Sequence, residues 1–182
     1  MASWSQTARR IRVPLGFAFA ALFLWLADPR KRSLLIGVVF VAIGLIVRAL
    51  ASGHVQKNEQ LATSGPYAYT RNPLYLGSSI LAIGFAIAAR SLWVAVALVL
   101  MLVTIYLPVI RDEEEFLRQR FPEFADYARQ VPRWLPRLKA ADAQTGSFSW
   151  TLYWKHREYN ATLGAAAILA ALIAKMLWFS RS

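Results

Sequence analysis

Between Gly65 and Gly77 the chain reads GPYAYTRNPLYLG, and between Arg111 and Glu115 it reads RDEEE. Both stretches carry residues able to do chemistry, and both stand at the edge of a long apolar segment. Asn72-Pro73 has the composition of a helix start: asparagine is a favoured N-cap, and proline at the first helical position loses no needed hydrogen bond. Such a start leaves free backbone N–H groups and the positive end of a helix dipole facing the preceding loop. Arg71 adds a full charge beside them, so the corner suits a carboxylate or phosphate. The Gly65-Pro66 turn directs Tyr67 and Tyr69 toward it. Tyr75 falls in the first helical turn, and Gly77 permits close approach of a backbone or ligand.

The acidic run offers complementary chemistry. Asp112 and Glu115 read as a solvated first turn of a helix, with Glu115, Phe116, Leu117 and Phe121 at helical spacing. Glu113 and Glu114 are the stronger candidates, able to pair with an arginine or receive a cationic group. Further on, Phe121, Phe124, Tyr127 and Val131 form the apolar face of a helix expected to lie along a membrane. The segment VPRWLP, from Val131 to Pro136, follows as an extended, proline-stiffened strap. FSWTLYWKHREYN, residues 148–160, reads as an interfacial aromatic anchor, and within it His156, Arg157, Glu158 and Tyr159 are able to face the same site.

The elements that must position these residues are transmembrane helices. Hydrophobic residues make up 57% of the 182 and charged residues 17%, against roughly 25% charged in soluble domains. Five apolar spans are expected, at about 13–27, 34–51, 74–89, 92–110 and 162–179, each near the roughly 20 residues a crossing helix needs. Backbone groups in lipid must be satisfied internally, which leaves helices and predicts an all-α integral membrane fold. The tail between spans four and five is expected to be helical and then extended. The chain divides into an N-terminal hairpin (1–60), a core (61–138), and an interfacial segment with the last span (139–182), all within one domain. The basic N-terminus, with no convincing cleavage site, reads as a retained anchor.

The net charge of +11 sits between apolar spans, which points to anionic lipid and topology control rather than nucleic acid. With the N-terminus inside, fifteen Lys and Arg fall on the inner side and five on the outer, leaving out Lys175 within the last span. The chemistry is then cytoplasmic. The absence of cysteine excludes disulfides, cysteine-ligated metals and thiol catalysis, and no metal site is expected. Arg90-Ser91 is a tight turn between spans three and four. It brings the loop before the third span and the tail after the fourth to one side of the bilayer.

Together, GPYAYTRNPLYLG and EEEFLRQRFPEFADYARQVPRWLP resemble the isoprenylcysteine carboxyl methyltransferase and phospholipid methyltransferase superfamily, over about 61–138. The family's Gly-Pro-Tyr-x-x-x-Arg-His-Pro-x-Tyr-x-Gly falls on Gly65, Pro66, Tyr67, Arg71, Asn72, Pro73, Tyr75 and Gly77. Its Glu-Glu motif falls on Glu113, Glu114, Leu117, Phe121, Tyr127, Val131 and Pro132. Asn72 stands where histidine is usual, keeping a donor and an acceptor but not a titrating proton. Pro122 replaces a glycine, and Phe124 a common tyrosine.

The resemblance implies an integral-membrane enzyme that binds S-adenosylmethionine and methylates a lipid-like acceptor entering between helices. It implies that Arg71 and the helix start hold the cofactor's carboxylate, that Glu113 or Glu114 hold its ammonium or ribose, and that the aromatics with Val131-Pro132 hold its adenine. A carboxylate acceptor needs no base, whereas an amine acceptor would use Glu113, Glu114 or Glu158. Two other readings remain open: an NADPH-dependent membrane reductase of the sterol-reductase type, and a non-catalytic membrane scaffold.

Overall fold

The computed structural model describes residues 20–56, 59–141 and 146–179. Within them the chain is helical and contains no strand. Residues 20–26 form α1, and the remainder of the expected first span lies outside the described residues. There follow α2 (Lys31–Ser52), a 3-10 turn (Gly65–Ala68), α3 (Pro73–Ala89), a long helix α4 (Leu92–Arg120), α5 (Phe124–Gln130), α6 (Trp150–Lys155) and α7 (Tyr159–Phe179). Three of these, α2, α4 and α7, are long and apolar enough to cross a membrane, while α3 is a shorter apolar helix of 17 residues. The fold is that of an all-α integral membrane protein.

The α2–α3 pair is the spine. Gly37 and Gly44 on α2, and Gly77 and Gly84 on α3, each stand seven residues apart. They meet as antiparallel partners. A methyl group at Gly44 would lie 2.7 Å from the Gly77 carbonyl oxygen, and one at Gly37 would lie 2.6 Å from that of Gly84. Small residues let helices approach closely in lipid, where dispersion must replace the hydrophobic effect as the glue. Gly77 thus serves helix packing, with Arg48 Cγ against its open face.

The turn between α3 and α4 is as tight as its two residues suggest. Arg90 takes φ 51°, and the Ser91 hydroxyl accepts a hydrogen bond from the Val94 N–H at 3.4 Å.

The acidic run does not begin a new helix. It continues α4, whose 29 residues extend about 44 Å at ~1.5 Å per residue, well beyond a ~30 Å hydrocarbon core. The excess carries Glu113 and Glu114 out of the bilayer on a rigid rod. A π-helical turn at Leu102–Tyr106 interrupts this helix just before Pro108. Proline lacks the N–H for a regular bond and crowds the preceding turn. The extra residue in a π turn shifts every later side chain around the axis by roughly 100°.

The apolar face expected to rest on the membrane is turned inward. Phe121 and Phe124 pack with Leu61, flanked by Leu117 and Tyr127.

Candidate functional site

Thr70, Asn72 and the backbone around them stitch the two motif segments together. The Arg71 N–H donates to the Pro132 carbonyl at 2.9 Å, the Arg137 N–H to Tyr69 at 3.0 Å, and the Ala141 N–H to Ala68 at 3.0 Å. Thr70, only 2% exposed, directs its hydroxyl at the Arg133 and Trp134 carbonyls, 3.2 and 3.1 Å away. The strap after Val131 is therefore held along the loop before α3. Val131 is buried and Pro132 is a backbone acceptor. Both support the site from behind instead of lining it.

Asn72 occupies the N-cap position of α3, but its side chain caps nothing. Its amide instead donates to Glu114 Oε1 at 3.0 Å and to the Arg133 carbonyl at 3.1 Å. Glu114 is the hub. Its Oε2 accepts from Arg133 Nε at 3.0 Å and Nη2 at 2.8 Å, and lies 3.7 Å from Arg71 Nη1. Charged hydrogen bonds of this kind are the means by which a buried carboxylate is retained. Arg111, at the same end of the helix, is exposed.

Arg71 is mostly enclosed, its side chain 12% exposed, with its guanidinium 5.9 Å from the Phe124 ring centroid. Its Nε is buried without a hydrogen-bond partner. An orphaned charged donor in a corner of this kind is a place for an anionic group.

The corner opens on a cavity of about 1150 Å³. Tyr67, Arg71, Asn72, Tyr75, Glu113 and Glu114 line it, and Tyr69 does not, being 40% exposed elsewhere. The left-handed φ of Gly65, 56°, sets the turn that sends Tyr67 inward. Burial, the largest cause, pushes the Tyr67 phenol above the usual tyrosine range. It does the same to Tyr127, where Arg71 opposes it in part. Both therefore stay protonated donors through neutral and mildly alkaline pH. Tyr127 uses its hydroxyl on the Tyr67 carbonyl at 2.8 Å.

Three carboxylates line the cavity. Glu114 is committed as described. Glu158, 9% exposed, is held by Arg48, with Nη2 donating to Oε2 at 3.0 Å and Nε to Oε1. Glu113, among the described residues, has neither an ion pair nor a hydrogen bond. Arg48 also donates to the Ser78 hydroxyl. Sequence reasoning counted Arg48 only as a topology charge and passed over Ser78 and Thr70. The signal for Arg48 was an ionisable residue within an apolar span, which by default marks function. Of the four residues His156–Tyr159, the first three line the cavity. His156 Nδ1 lies 3.1 Å from the Ser52 carbonyl, so it is the protonated ring nitrogen. Tyr159 instead packs its ring against Trp154, with centroids 5.1 Å apart and the planes tilted by 42°.

The phospholipid methyltransferase family model matches residues 39–123, which include α2 from its third turn, the loop, α3 and all of α4. A cobalt-zinc-cadmium resistance protein, CzcN, of Cupriavidus metallidurans is 39% identical over 151 residues, 78% of this chain and 68% of the relative. A nickel-cobalt-cadmium resistance protein, NccN, of Alcaligenes xylosoxydans xylosoxydans is 38% identical over 105 residues, 57% of this chain and 48% of the relative. No solved structure matches the chain.

Proposed function

Because the chain belongs to the phospholipid methyltransferase family, within the isoprenylcysteine carboxyl and phospholipid methyltransferase superfamily, we propose that it is an S-adenosylmethionine-dependent methyltransferase acting on a lipid-like acceptor, with its site on the cytoplasmic side. The observation that carries this reading is the union of the two motifs at Glu114, beside the orphaned Arg71 Nε. The donor set fits the cofactor. Arg71 and the first N–H groups of α3 suit its carboxylate, unpartnered Glu113 suits its ammonium, and Tyr67, Tyr75 and Phe124 offer aromatic walls. When bound, S-adenosylmethionine supplies a methyl group on a sulfonium, an electrophile that needs alignment more than activation.

The chain's own residues supply that alignment. Glu114 fixes Arg71, Asn72 and Arg133 in one constellation. Asn72 cannot titrate, so at this position it orients and does not move a proton. If the acceptor is an amine, Glu113 is the carboxylate free to take its proton; a carboxylate acceptor needs none. The α4 rod and the strap behind Arg71 shield the corner from solvent.

Titration calorimetry on the purified protein in detergent tests the reading, with S-adenosylmethionine and NADPH as the two ligands. S-adenosylmethionine is expected to bind and NADPH is not; the reverse result would make the chain a reductase, and binding of neither would leave a scaffold. Arg71→Ala is expected to weaken S-adenosylmethionine about ten- to a hundredfold, the value of a charge-assisted hydrogen bond, with a smaller loss of stability. Unchanged affinity would mean that Arg71 only braces Glu114.

Glu113→Gln is expected to leave thermal stability unchanged, since the side chain is exposed and unpaired. A role at the cofactor ammonium predicts weaker cofactor binding. A role as base predicts intact binding and turnover about a hundred- to ten-thousandfold lower. Wild-type binding and turnover together would remove Glu113 from the site.

The relatives' names connect them to cobalt, zinc, cadmium and nickel resistance. If this chain shares that role, we take it to act through methylation of a membrane component. The chain has no cysteine and two histidines, and each histidine has a ring nitrogen on a backbone carbonyl.

A further inference from the structure

The cavity is larger than one ligand requires. Its volume, about 1150 Å³, exceeds the ~300–1000 Å³ usual for a single small-molecule site. Its charged groups also fall into two zones. The first is the Arg71–Glu114 corner at the start of α3. The second surrounds Ser78, which lies five residues beyond Pro73 and hence about 7.5 Å deeper along the α3 axis. Here Arg48 of α2 meets Ser78 of α3 and Glu158 from the turn before α7.

Arg48 is oriented but not exhausted. A guanidinium has five N–H bonds, and these partners use three. Glu158 neutralises its charge without blocking it, so the pair is a fixed fork with donors to spare. Next to Glu158 in the chain is Arg157, exposed and also lining the cavity. Arg157 takes φ 53°, in the left-handed region, at the turn joining α6 to α7. Glycine is the unstrained residue at a helix C-terminus of this conformation. A long cationic side chain there, accepting the strain and turned to the cavity, is the kind of outlier that accompanies function.

We infer that Arg48 and Arg157 form a second subsite, membrane-ward of the cofactor corner, for an anionic headgroup on an amphiphilic acceptor. Calling its ligand the acceptor rests on the methyltransferase reading; the anion-binding chemistry does not. The shared chemistry is a phosphate or carboxylate at the end of an apolar tail. The headgroup meets the spare N–H groups of Arg48 and the Arg157 guanidinium while the tail stays among the helices. Ser78 and Glu158 are positioning residues, holding the Arg48 fork in place.

The test measures binding, using the full chain in neutral maltoside detergent. Dihexanoyl phosphatidic acid and dodecanoate are the anionic probes, and dihexanoylglycerol is the neutral control. The wild type is expected to prefer at least one anionic probe by about tenfold or more, and the tighter of the two identifies the headgroup as phosphate or carboxylate. Arg157→Gly is the clean variant, because glycine suits the backbone. It is expected to abolish most of that preference, with no loss of melting temperature and with S-adenosylmethionine affinity unchanged. Arg48→Gln paired with Glu158→Gln, which removes the ion pair without leaving a lone charge, is expected to act in the same direction.

Equal binding of anionic and neutral probes, or full preference retained in Arg157→Gly, would overturn the subsite. If the anionic preference and its loss in Arg157→Gly are seen while S-adenosylmethionine does not bind, the subsite stands and methyl transfer falls. If S-adenosylmethionine binds and the preference is absent, the subsite falls alone.

Discussion

Glu114→Ala is expected to destabilise the protein by about 3–5 kcal/mol, the usual consequence of removing one partner from a buried ion pair, and to eliminate the proposed binding of S-adenosylmethionine. Glu114 is 5% exposed and gathers three partners from two separate segments. Without it, Arg71 is left enclosed with no counter-charge and with Nε already unsatisfied. Asn72 and Arg133 lose the acceptor that joins them to α4. Glu115→Ala is the control. One residue along the same helix, Glu115 is exposed and sits 3.9 Å from an exposed Arg118, a surface pair worth ~0–1 kcal/mol. Chemical unfolding in mixed micelles separates the two variants. If Glu114→Ala unfolds with Glu115→Ala, the acidic run is only a solvated helix end.

The second large effect concerns the spine. Gly44→Val is expected to reduce folded protein sharply, since its Cβ would lie 2.7 Å from the Gly77 carbonyl and 2.8 Å from the Leu81 nitrogen. Backbone atoms on a helix cannot step aside, so the helices must part. Overpacking of a tight contact costs about 1–3 kcal/mol and more where nothing can yield. Parting α2 from α3 also pulls Arg48 from Ser78, so binding at the cavity should fall with stability. Gly164→Ala on α7 is the contrasting change: nothing lies within 4 Å of its added methyl, and alanine is the better helix former. Size-exclusion profiles and melting temperatures of the two variants should diverge. Equal behaviour would mean that the α2–α3 contact is looser than described.

Much of this architecture is legible in local chemistry. Uninterrupted apolar runs place α2, α3, α4 and α7, because lipid permits little besides helix. The two-residue Arg90-Ser91 turn requires α3 and α4 to double back, which puts Arg71 and Glu114 on one side; they stand 3.7 Å apart. Asn72-Pro73 marks the start of α3 because proline at the first helical position loses no needed hydrogen bond. What the Asn72 side chain does at that start was not legible. A carboxylate from residue 114 competes with the helix N–H groups and wins, and local propensity contains no term for such a partner.

The choice between Glu113 and Glu114 was likewise decided in three dimensions. Adjacent helical residues point about 100° apart, so at least one was expected to face the cofactor pocket and the other to cap or pair with a basic residue nearby. Which one depends on the phase of α4 at its far end, and the π turn at Leu102–Tyr106 resets that phase by one residue. A regular period carried from the apolar span therefore gives the wrong face. Tyr69 and Tyr67 are separated in the same way: both are tyrosines of one turn, but the left-handed Gly65 sends Tyr67 into the cavity and leaves Tyr69 outside.

By itself, the sequence determined the membrane-spanning helices, their hairpin and the segments that meet, because desolvation of the backbone and the turn length leave little choice. Only the tertiary structure decided which charges pair. Arg48 and Glu158 are separated by 110 residues, and nothing along the chain links them. Their bond exists because the four glycines of α2 and α3 bring Arg48 beside Ser78, and the α6–α7 turn delivers Glu158 to the same depth. Ion pairing in a low-dielectric interior depends on distance and desolvation, and both are properties of the assembled helices.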